Sequence, residues 1–295
     1  MPRRCCACNA FPVSRIAIIG GGSIGEALLS GLLRAGRQVK DLVVAEKFAE
    51  RAQYLSDTYS VLVTSVADAA ENATYVIVAV KPGDVESALA EIAEAVGKAD
   101  DNSAEQVVVS VAAGVSTSFY ESKLPAGAPV IRVMPNAPMV VGGGVSALSR
   151  GRFATEEQLK EVSAIFDTVG GVLTVPEAQL DAVTALSGSG PAYFFLMVEA
   201  MVDAGVDAGL PRAVATDLVA QTMAGSAAML LDRLDSAPDA ALDTTAAQLR
   251  AIVTSPGGTT AAGLRELERG GLRAAVANAV TAAKTRSEQL GITSE

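Results

Sequence analysis

The chain has 295 residues, a formal charge of −10, and half its residues apolar against 19% charged, the balance of a folded chain long enough for two ordinary domains. The acidic surplus repels a phosphate backbone and argues against a nucleic-acid partner. Its lack of His excludes an imidazole general base, a Ser-His-Asp triad and any His-ligated metal.

All three cysteines, Cys5, Cys6 and Cys8, stand ahead of the first strand-like run. A structural zinc site wants four ligands, and no second Cys or His group exists to complete one, so no metal site is expected. Residues 1–14 read as a flexible Cys-containing tail. The basic start lacks the apolar middle of a secretory signal, which makes the cytoplasm the default compartment. No uncharged apolar run comes near the roughly 18 residues that span a bilayer, and a soluble protein without a membrane partner is expected.

In chain order, Arg15 to Ile19 is a short β-prone run, followed by a Gly cluster and an apolar-periodic stretch from Ile24 to Leu33: strand, tight turn, helix. Further strands are expected at Asp41 to Ala45, Tyr75 to Val80, Gln106 to Val111, Val130 to Val133 and Gly171 to Val175. Helices are expected at Val85 to Val96 and near Glu156 to Val169. This alternation predicts a parallel sheet with crossover helices, an α/β doubly wound domain over residues 15–175. From Glu177 the β-branched runs give way to helical stretches at about Gln179–Ala208, Arg212–Leu234, Asp239–Val253, Thr259–Glu268 and Leu272–Gln289. Residues 176–295 therefore read as an all-α domain. Its abundant Ala and scarce aromatics suggest close helix packing or a subunit interface.

Gly20, Gly22 and Gly25 form a G-x-G-x-x-G between the first strand and first helix, with Ser23 and Ile24 inside it. The first Gly permits the turn, the second lets a pyrophosphate approach the backbone, and the third lets helix and sheet pack closely. With an acidic residue after the next strand, the pattern points to a dinucleotide at the helix N-terminus. That residue, Glu46, is placed to accept from the adenosine ribose and favours NADH, whereas the adjacent Lys47 could instead pair with the 2′-phosphate of NADPH. Both cofactors stay open. Ala79-Val80-Lys81-Pro82 ends a strand, where open sheets bind ligands; small Ala112 and Ala113 follow another, and Met134-Pro135-Asn136 a third. These are candidate cofactor contacts, although a Lys-Pro at a strand end also serves as a plain turn.

In the helical half, Ser255-Pro256-Gly257-Gly258-Thr259-Thr260 offers free amide hydrogens and hydroxyls at a helix start, a fit for a small carboxylate; the alternative is an ordinary capped loop. Leu186 to Ala192 (LSGSGPA) breaks the first helical stretch, either as wall of a cleft or as a kink set by Pro191.

Taken together, GGGSIG, AVKP, VAAGV, RVMPNAP, ALSGSGPAYFF and above all Leu249 to Glu268 (LRAIVTSPGGTTAAGLRELE) resemble the pyrroline-5-carboxylate reductase family, from about Arg15 to Gln289. The resemblance implies a Rossmann domain followed by a helical dimerisation and substrate domain that interlocks with a second subunit, as a dimer or a ring of dimers. It implies NADPH or NADH as cofactor, and reduction of the cyclic imine 1-pyrroline-5-carboxylate to L-proline. The loop matching Ser255, Gly258, Thr259 and Thr260 is implied to bind the substrate carboxylate, with the Thr260 hydroxyl near the ring nitrogen. Glu177 matches a position near the substrate. A protonated imine is electrophilic without help from the protein, which suits a chain lacking His. Rival readings are a reductase of another imine or of a 3-hydroxy acid, and a non-catalytic NAD(H) sensor. The hydroxy-acid reading wants a Lys in the helical half, where Lys284 alone follows Lys160.

Overall fold

The structure is a computed structural model that describes residues 14–98, 106–236 and 245–291. Residues 1–13, with the three cysteines, and most of the acidic stretch at Lys98 to Gln106 lie outside the described residues. So does the first part of the helix expected from Asp239. The chain divides into two compact units, one running to Ser189 and including the chain from Ala283 onward, the other from Gly190 to Ala282.

The first unit is an eight-stranded sheet: β1 (Ile16–Ile19), β2 (Leu42–Ala45), β3 (Leu62–Thr64), β4 (Tyr75–Val78), β5 (Val107–Ser110), β6 (Val130–Met134), β7 (Gly144–Arg150) and β8 (Gly170–Thr174). Their order is β3-β2-β1-β4-β5-β6-β7-β8. β1 to β6 are parallel, which puts all their C-terminal ends at one pole, and β1 lies between β2 and β4. The chain thus reverses its lateral direction between β1 and β4, the switch point at which doubly wound sheets bind nucleotides. The fold is a Rossmann-type α/β unit, as expected, because strands such as Ile16–Ile19 and Tyr75–Val78 are buried on both faces and need helices on each.

Two strands depart from the expectation. β7 runs antiparallel to β6, so the sheet is not wholly parallel, and β8 returns parallel to β7. Ser146 and Ser149 are buried in β7, and their small polar side chains hide it from a search for apolar runs. β3 is a three-residue edge strand whose Leu62 is exposed.

Two apolar layers sandwich the sheet. One gathers Leu28, Leu29 and Leu32 of α1 (Ser23–Arg34) with Val162, Ile165 and Phe166 of α6 (Glu156–Asp167) against Ile16, Ile18 and Ile77. The other packs Leu89 and Ile92 of α4 (Val85–Lys98) and Phe119 and Tyr120 of α5 (Thr117–Lys123) against Ala17, Ile19 and Val76. Shorter crossovers are α2 (Ala49–Tyr59) and α3 (Val66–Ala70). The helix α6 begins at a reciprocal capping box of Thr155 and Gln158, which satisfies two otherwise orphaned donors.

The expected single helix from Gln179 is segmented. It begins as a 3₁₀ turn at Glu177–Gln179, passes through α7 (Leu180–Val183) and a π-helical turn at Thr184–Gly188, and resumes as α8 (Gly190–Asp207). Gly and Ser at the break let the backbone widen there, a feature frequent at functional sites. The second unit continues with α9 (Arg212–Ser236), α10 (Thr245–Ile252), α11 (Thr259–Arg269) and α12 (Leu272–Leu290), the last of which ends in the first unit. Its buried centre is small: Val202, Ala215 and Val219, with Val198 and Val206 packed around them. Large apolar side chains stand exposed along α8 and α9, among them Phe194 (64%), Leu196 (67%), Leu218 and Leu231.

The stretches Glu177–Asp207 and Arg212–Ser236 are long and apolar enough to cross a membrane by length and composition, contrary to the reading from uncharged runs alone. In the first, the uncharged segment from Ala182 to Val198 is broken by Thr184, Ser187 and Ser189, and in the second the apolar run lies between Asp217 and Asp232, so counting unbroken apolar runs understates both.

Candidate active site

Each glycine of the G-x-G-x-x-G meets a different physical demand. Gly20 has φ +105°, and a Cβ there would lie 2.9 Å from the backbone carbon and oxygen of Ala79, so only Gly fits against the end of β4. A methyl on Gly25 would overlap the Gly20 carbonyl and stand 3.2 Å from Ile18 Cγ2, the close approach of helix to sheet. Around Gly22 there is open space, with nothing within 4 Å of an added Cβ. Gly22 is also the N-cap of α1 and makes no side-chain capping bond. The first intrahelical bond comes from Glu26 N–H to Gly22 O, which leaves the N–H groups of Ser23, Ile24 and Gly25 free to point at an anion. Open space at the middle glycine and uncapped amides fit a pyrophosphate.

An acid in the first turn of such a helix, Glu26, would repel that phosphate if left bare. Arg51 of α2 neutralises it through a short ion pair and donates from Nε to Gly21 O at 2.7 Å, tying the loop to α2. Tyr54 and Tyr59 hydroxyls also donate to Glu26. Burial alone raises the Glu26 pKa; the Arg51 and Tyr59 hydrogen bonds, the Arg51 charge and Tyr54 outweigh it and hold the carboxyl below the usual carboxylate range. Arg51 carried no signal in the sequence beyond its place five residues after Glu46.

Glu46 follows β2, and its carboxylate is turned toward the loop: Oε2 accepts from Gly21 N–H and Oε1 from Phe48 N–H, each at 2.9 Å. Lys47 points away to Asp84, with Nζ 3.0 Å from Oδ1 and 5.3 Å from the Phe48 ring centroid.

The other expected cofactor residues line the same pole. Ala79 to Pro82 leave β4, with Ala79 N–H held by Ile19 O at 2.8 Å. Val111 N–H is held by Val78 O at 3.1 Å, which starts the turn carrying Ala112 and Ala113. Met134-Pro135-Asn136 leaves β6. The segment after β4 lies at the β1–β4 switch, and those after β5 and β6 follow at the same pole, one and two strands further along the sheet. The Asn136 side chain is engaged within the protein at both ends: Oδ1 accepts from Val145 N–H at 2.8 Å, and Nδ2 donates to Ser187 O at 3.2 Å. It joins the β6 turn, the start of β7 and the π-helical turn. Met134 Cε would stand 2.9 Å from a Cβ on Gly188, a contact that the flexible end of Met134 can relieve by shifting.

Glu177 is likewise anchored in the first unit. Its carboxylate accepts from Thr117 N–H (2.8 Å) and Thr117 Oγ1 (2.6 Å) at the start of α5, and from Arg132 Nη1 of β6 at 3.2 Å. The Arg132 side chain is nearly buried. Near it the Tyr120 hydroxyl, bonded to Ser110 Oγ at 2.8 Å, has its pKa pushed up to about 12 by burial and stays protonated.

In the second unit, Ser255 to Thr260 forms a turn closed by Gly258 N–H to Ser255 O at 3.1 Å, with Gly257 at φ +69°. Gly258 is the N-cap of α11 and lacks a side-chain capping bond, so neither threonine caps the helix. The first intrahelical bond is from Ala262 N–H to Gly258 O, which frees the N–H groups of Thr259, Thr260 and Ala261. Thr259 and Thr260 are exposed. Three free amides at the positive end of a helix can receive an anion such as a carboxylate. Among the described residues, no group of three or more His, Cys, Asp or Glu is arranged to hold a metal ion.

Comparison with known proteins agrees with both halves. Residues 177–290 match the family described as pyrroline-5-carboxylate reductase dimerisation, and residues 15–114 match that described as NADP oxidoreductase coenzyme F420-dependent. The chain is 69% identical over 293 residues to a pyrroline-5-carboxylate reductase of Mycobacterium tuberculosis, covering 97% of this chain and 99% of that one. The enzyme of the same name from Mycobacterium leprae is 69% identical over 291 residues, covering 96% and 99%. Among solved structures, a pyrroline-5-carboxylate reductase from Coxiella burnetii superposes with a TM-score of 0.85 at 32% identity, covering 95% of this chain and 100% of that chain. A Plasmodium falciparum pyrroline carboxylate reductase with NADP bound superposes at 0.80 and 28% identity, covering 95% and 98%. By sequence and by fold, the chain belongs to the pyrroline-5-carboxylate reductase family.

Proposed function

We infer that this chain reduces 1-pyrroline-5-carboxylate to L-proline with NADPH or NADH, the last step of proline biosynthesis. The observation that carries the reading is the uncapped N-terminus of α11, a ready anion receptor inside the region that matches the family's dimerisation model. Bound reduced nicotinamide supplies the hydride. Gly22 and the free amides of Ser23, Ile24 and Gly25 receive its pyrophosphate; Glu46, Lys47, Ala79 to Pro82, Ala112, Ala113 and Met134 to Asn136 border the rest. The amides of Thr259, Thr260 and Ala261 fix the substrate carboxylate, aided by the turn from Ser255 to Gly258. The Thr260 hydroxyl orients the ring nitrogen, whose proton the substrate brings from solvent. Holding the reactants in register is worth up to roughly 7 to 11 kcal/mol in favourable cases, enough for catalysis without an imidazole.

Glu177 belongs to this reading as the residue that fixes the start of the helical segment beside Thr117 and Arg132. We divide the labour at residue 175, with 15–175 serving the cofactor and 176–295 dimerisation and substrate. The family's dimerisation segment and the exposed apolar residues of α8 and α9 support a homo-oligomer, which we take to be a dimer or a ring of dimers. The biosynthetic role supports the cytoplasm, and the acidic charge disfavours nucleic acid and an anionic membrane surface.

The test is to mix the full chain with 1-pyrroline-5-carboxylate and each reduced cofactor, and follow the loss of reduced-nicotinamide absorbance alongside formation of proline. Cofactor binding without oxidation would reject the enzyme and favour the sensor.

A further inference from the structure

The two edges of the sheet are built differently. β3 is only three residues long, and its Thr64 hydroxyl donates to Asp68 Oδ2 at 3.0 Å, which sets a charge beside the strand. Short length and charge are ordinary protections of an edge. The strand at the other edge, Gly170-Gly171-Val172-Leu173-Thr174, carries no charge and leaves Leu173 60% exposed.

Its register with β7 fixes which backbone groups face outward. Gly144 N–H donates to Val169 O and Val175 N–H to Leu148 O, so the odd-numbered residues turn toward β7. The N–H and C=O groups of Gly170, Val172 and Thr174 turn away from the sheet. That row is self-complementary about its centre. Laid antiparallel on a second copy, Val172 meets Val172 as a hydrogen-bonded pair, and Thr174 meets Gly170 on each side. The facing pairs between them set exposed Leu173 over Gly171 of the other copy, where an added Cβ would meet nothing within 4 Å. The strand is also continuous with the dimerisation segment: β8 ends at Thr174, and the matched region begins at residue 177.

We propose that β8 is a second subunit contact, pairing antiparallel with β8 of another copy of this chain about a two-fold axis at Val172, so that the two sheets join. The proposal rests on the edge geometry and the family's dimerisation, not on the reaction, so its failure would leave the reductase assay unaffected.

The experiment uses the full chain with Cys5, Cys6 and Cys8 changed to Ser, carrying either Val172→Cys or, as a control on the exposed face of α6, Lys160→Cys. A hydrogen-bonded antiparallel pair holds its Cα atoms about 5.5 Å apart, inside the range a disulfide needs. Mild oxidation should convert the Val172→Cys protein to a covalent dimer at least tenfold faster than the Lys160→Cys protein. In the unsubstituted protein, the Val172 and Thr174 amides should exchange with solvent at least tenfold more slowly than those of an unpaired edge. The proposal is overturned by a Val172→Cys protein that light scattering shows to be dimeric or larger yet crosslinks no faster than the control. Free exchange at both amides, or a monomer in solution, overturns it equally.

Discussion

Changing Gly22 to Ala should weaken cofactor binding while leaving the fold intact. Gly22 has φ −66° and ψ −172°, angles Ala adopts readily, and the new methyl meets no atom within 4 Å. Removing glycine's freedom from the unfolded chain favours folding by about 0.4 to 1 kcal/mol, and Ala as a poorer N-cap than Gly takes back a similar amount. Stability should therefore change by less than about 1 kcal/mol in a denaturant titration. The methyl instead enters the space left for the pyrophosphate. Losing one hydrogen bond to a charged group costs about 1.5 to 3 kcal/mol, so the Kd for NADPH or NADH should rise about 10- to 150-fold, read by fluorescence titration. Gly20→Ala is the contrast. A positive φ and a Cβ 2.9 Å from the Ala79 backbone combine strain with overpacking, and that variant should lose about 2 to 4 kcal/mol of stability as well. A Gly22→Ala protein that binds cofactor within twofold of the parent would refute the placement of the phosphate.

Thr260→Ala should lower kcat about 10- to 100-fold while the cofactor Kd stays within a factor of two, as the hydroxyl orients substrate and not nucleotide; an unchanged rate removes Thr260 from the mechanism. Asn136→Ala strands the Val145 N–H and the Ser187 carbonyl, and should cost about 1 to 3 kcal/mol in a denaturant titration. For Glu26, whose folded pKa is depressed, the stabilising contribution is present above its unfolded pKa and disappears as pH falls through the lower folded value. A carboxyl titration followed by NMR should give Glu26 a midpoint below that of free glutamate, and Arg51→Gln should move it upward; a midpoint indifferent to Arg51 would break the account of the loop.

What the sequence disclosed followed from which groups the fold hides. Strands buried on both faces, such as Ile16–Ile19 and Val107–Val109, must be continuously apolar, and they were legible as such. β7 escaped notice because buried serines replace the aliphatic signature, and β3 because three residues make no pattern. The glycines of the nucleotide turn and the α11 loop announced themselves, since backbone chemistry there leaves little choice of residue. Partners were beyond reach: nothing in the order of residues says that Glu46 faces Gly21, that Lys47 pairs with Asp84, or that both ends of the Asn136 amide are bonded within the protein. Those depend on side-chain directions across segments distant in sequence. The interruption expected at Leu186–Ala192 begins two residues earlier, at Thr184–Gly188, with Pro191 already inside α8; its π-helical form was not legible, because Gly and Ser permit a kink and a widened turn alike.

Ser14, buried just ahead of β1, gives both its carbonyl and its hydroxyl oxygen to Arg37 Nη1, each at 3.2 Å. It sits where the parallel strands begin, opposite the pole at which they release the nucleotide-facing turns. An affinity tag or fluorescent fusion joined directly to Ser14 would start from the rear of the sheet, at the pole opposite the nucleotide-facing turns. Enzyme tethered to a support through this end should thus turn over as quickly as enzyme free in solution.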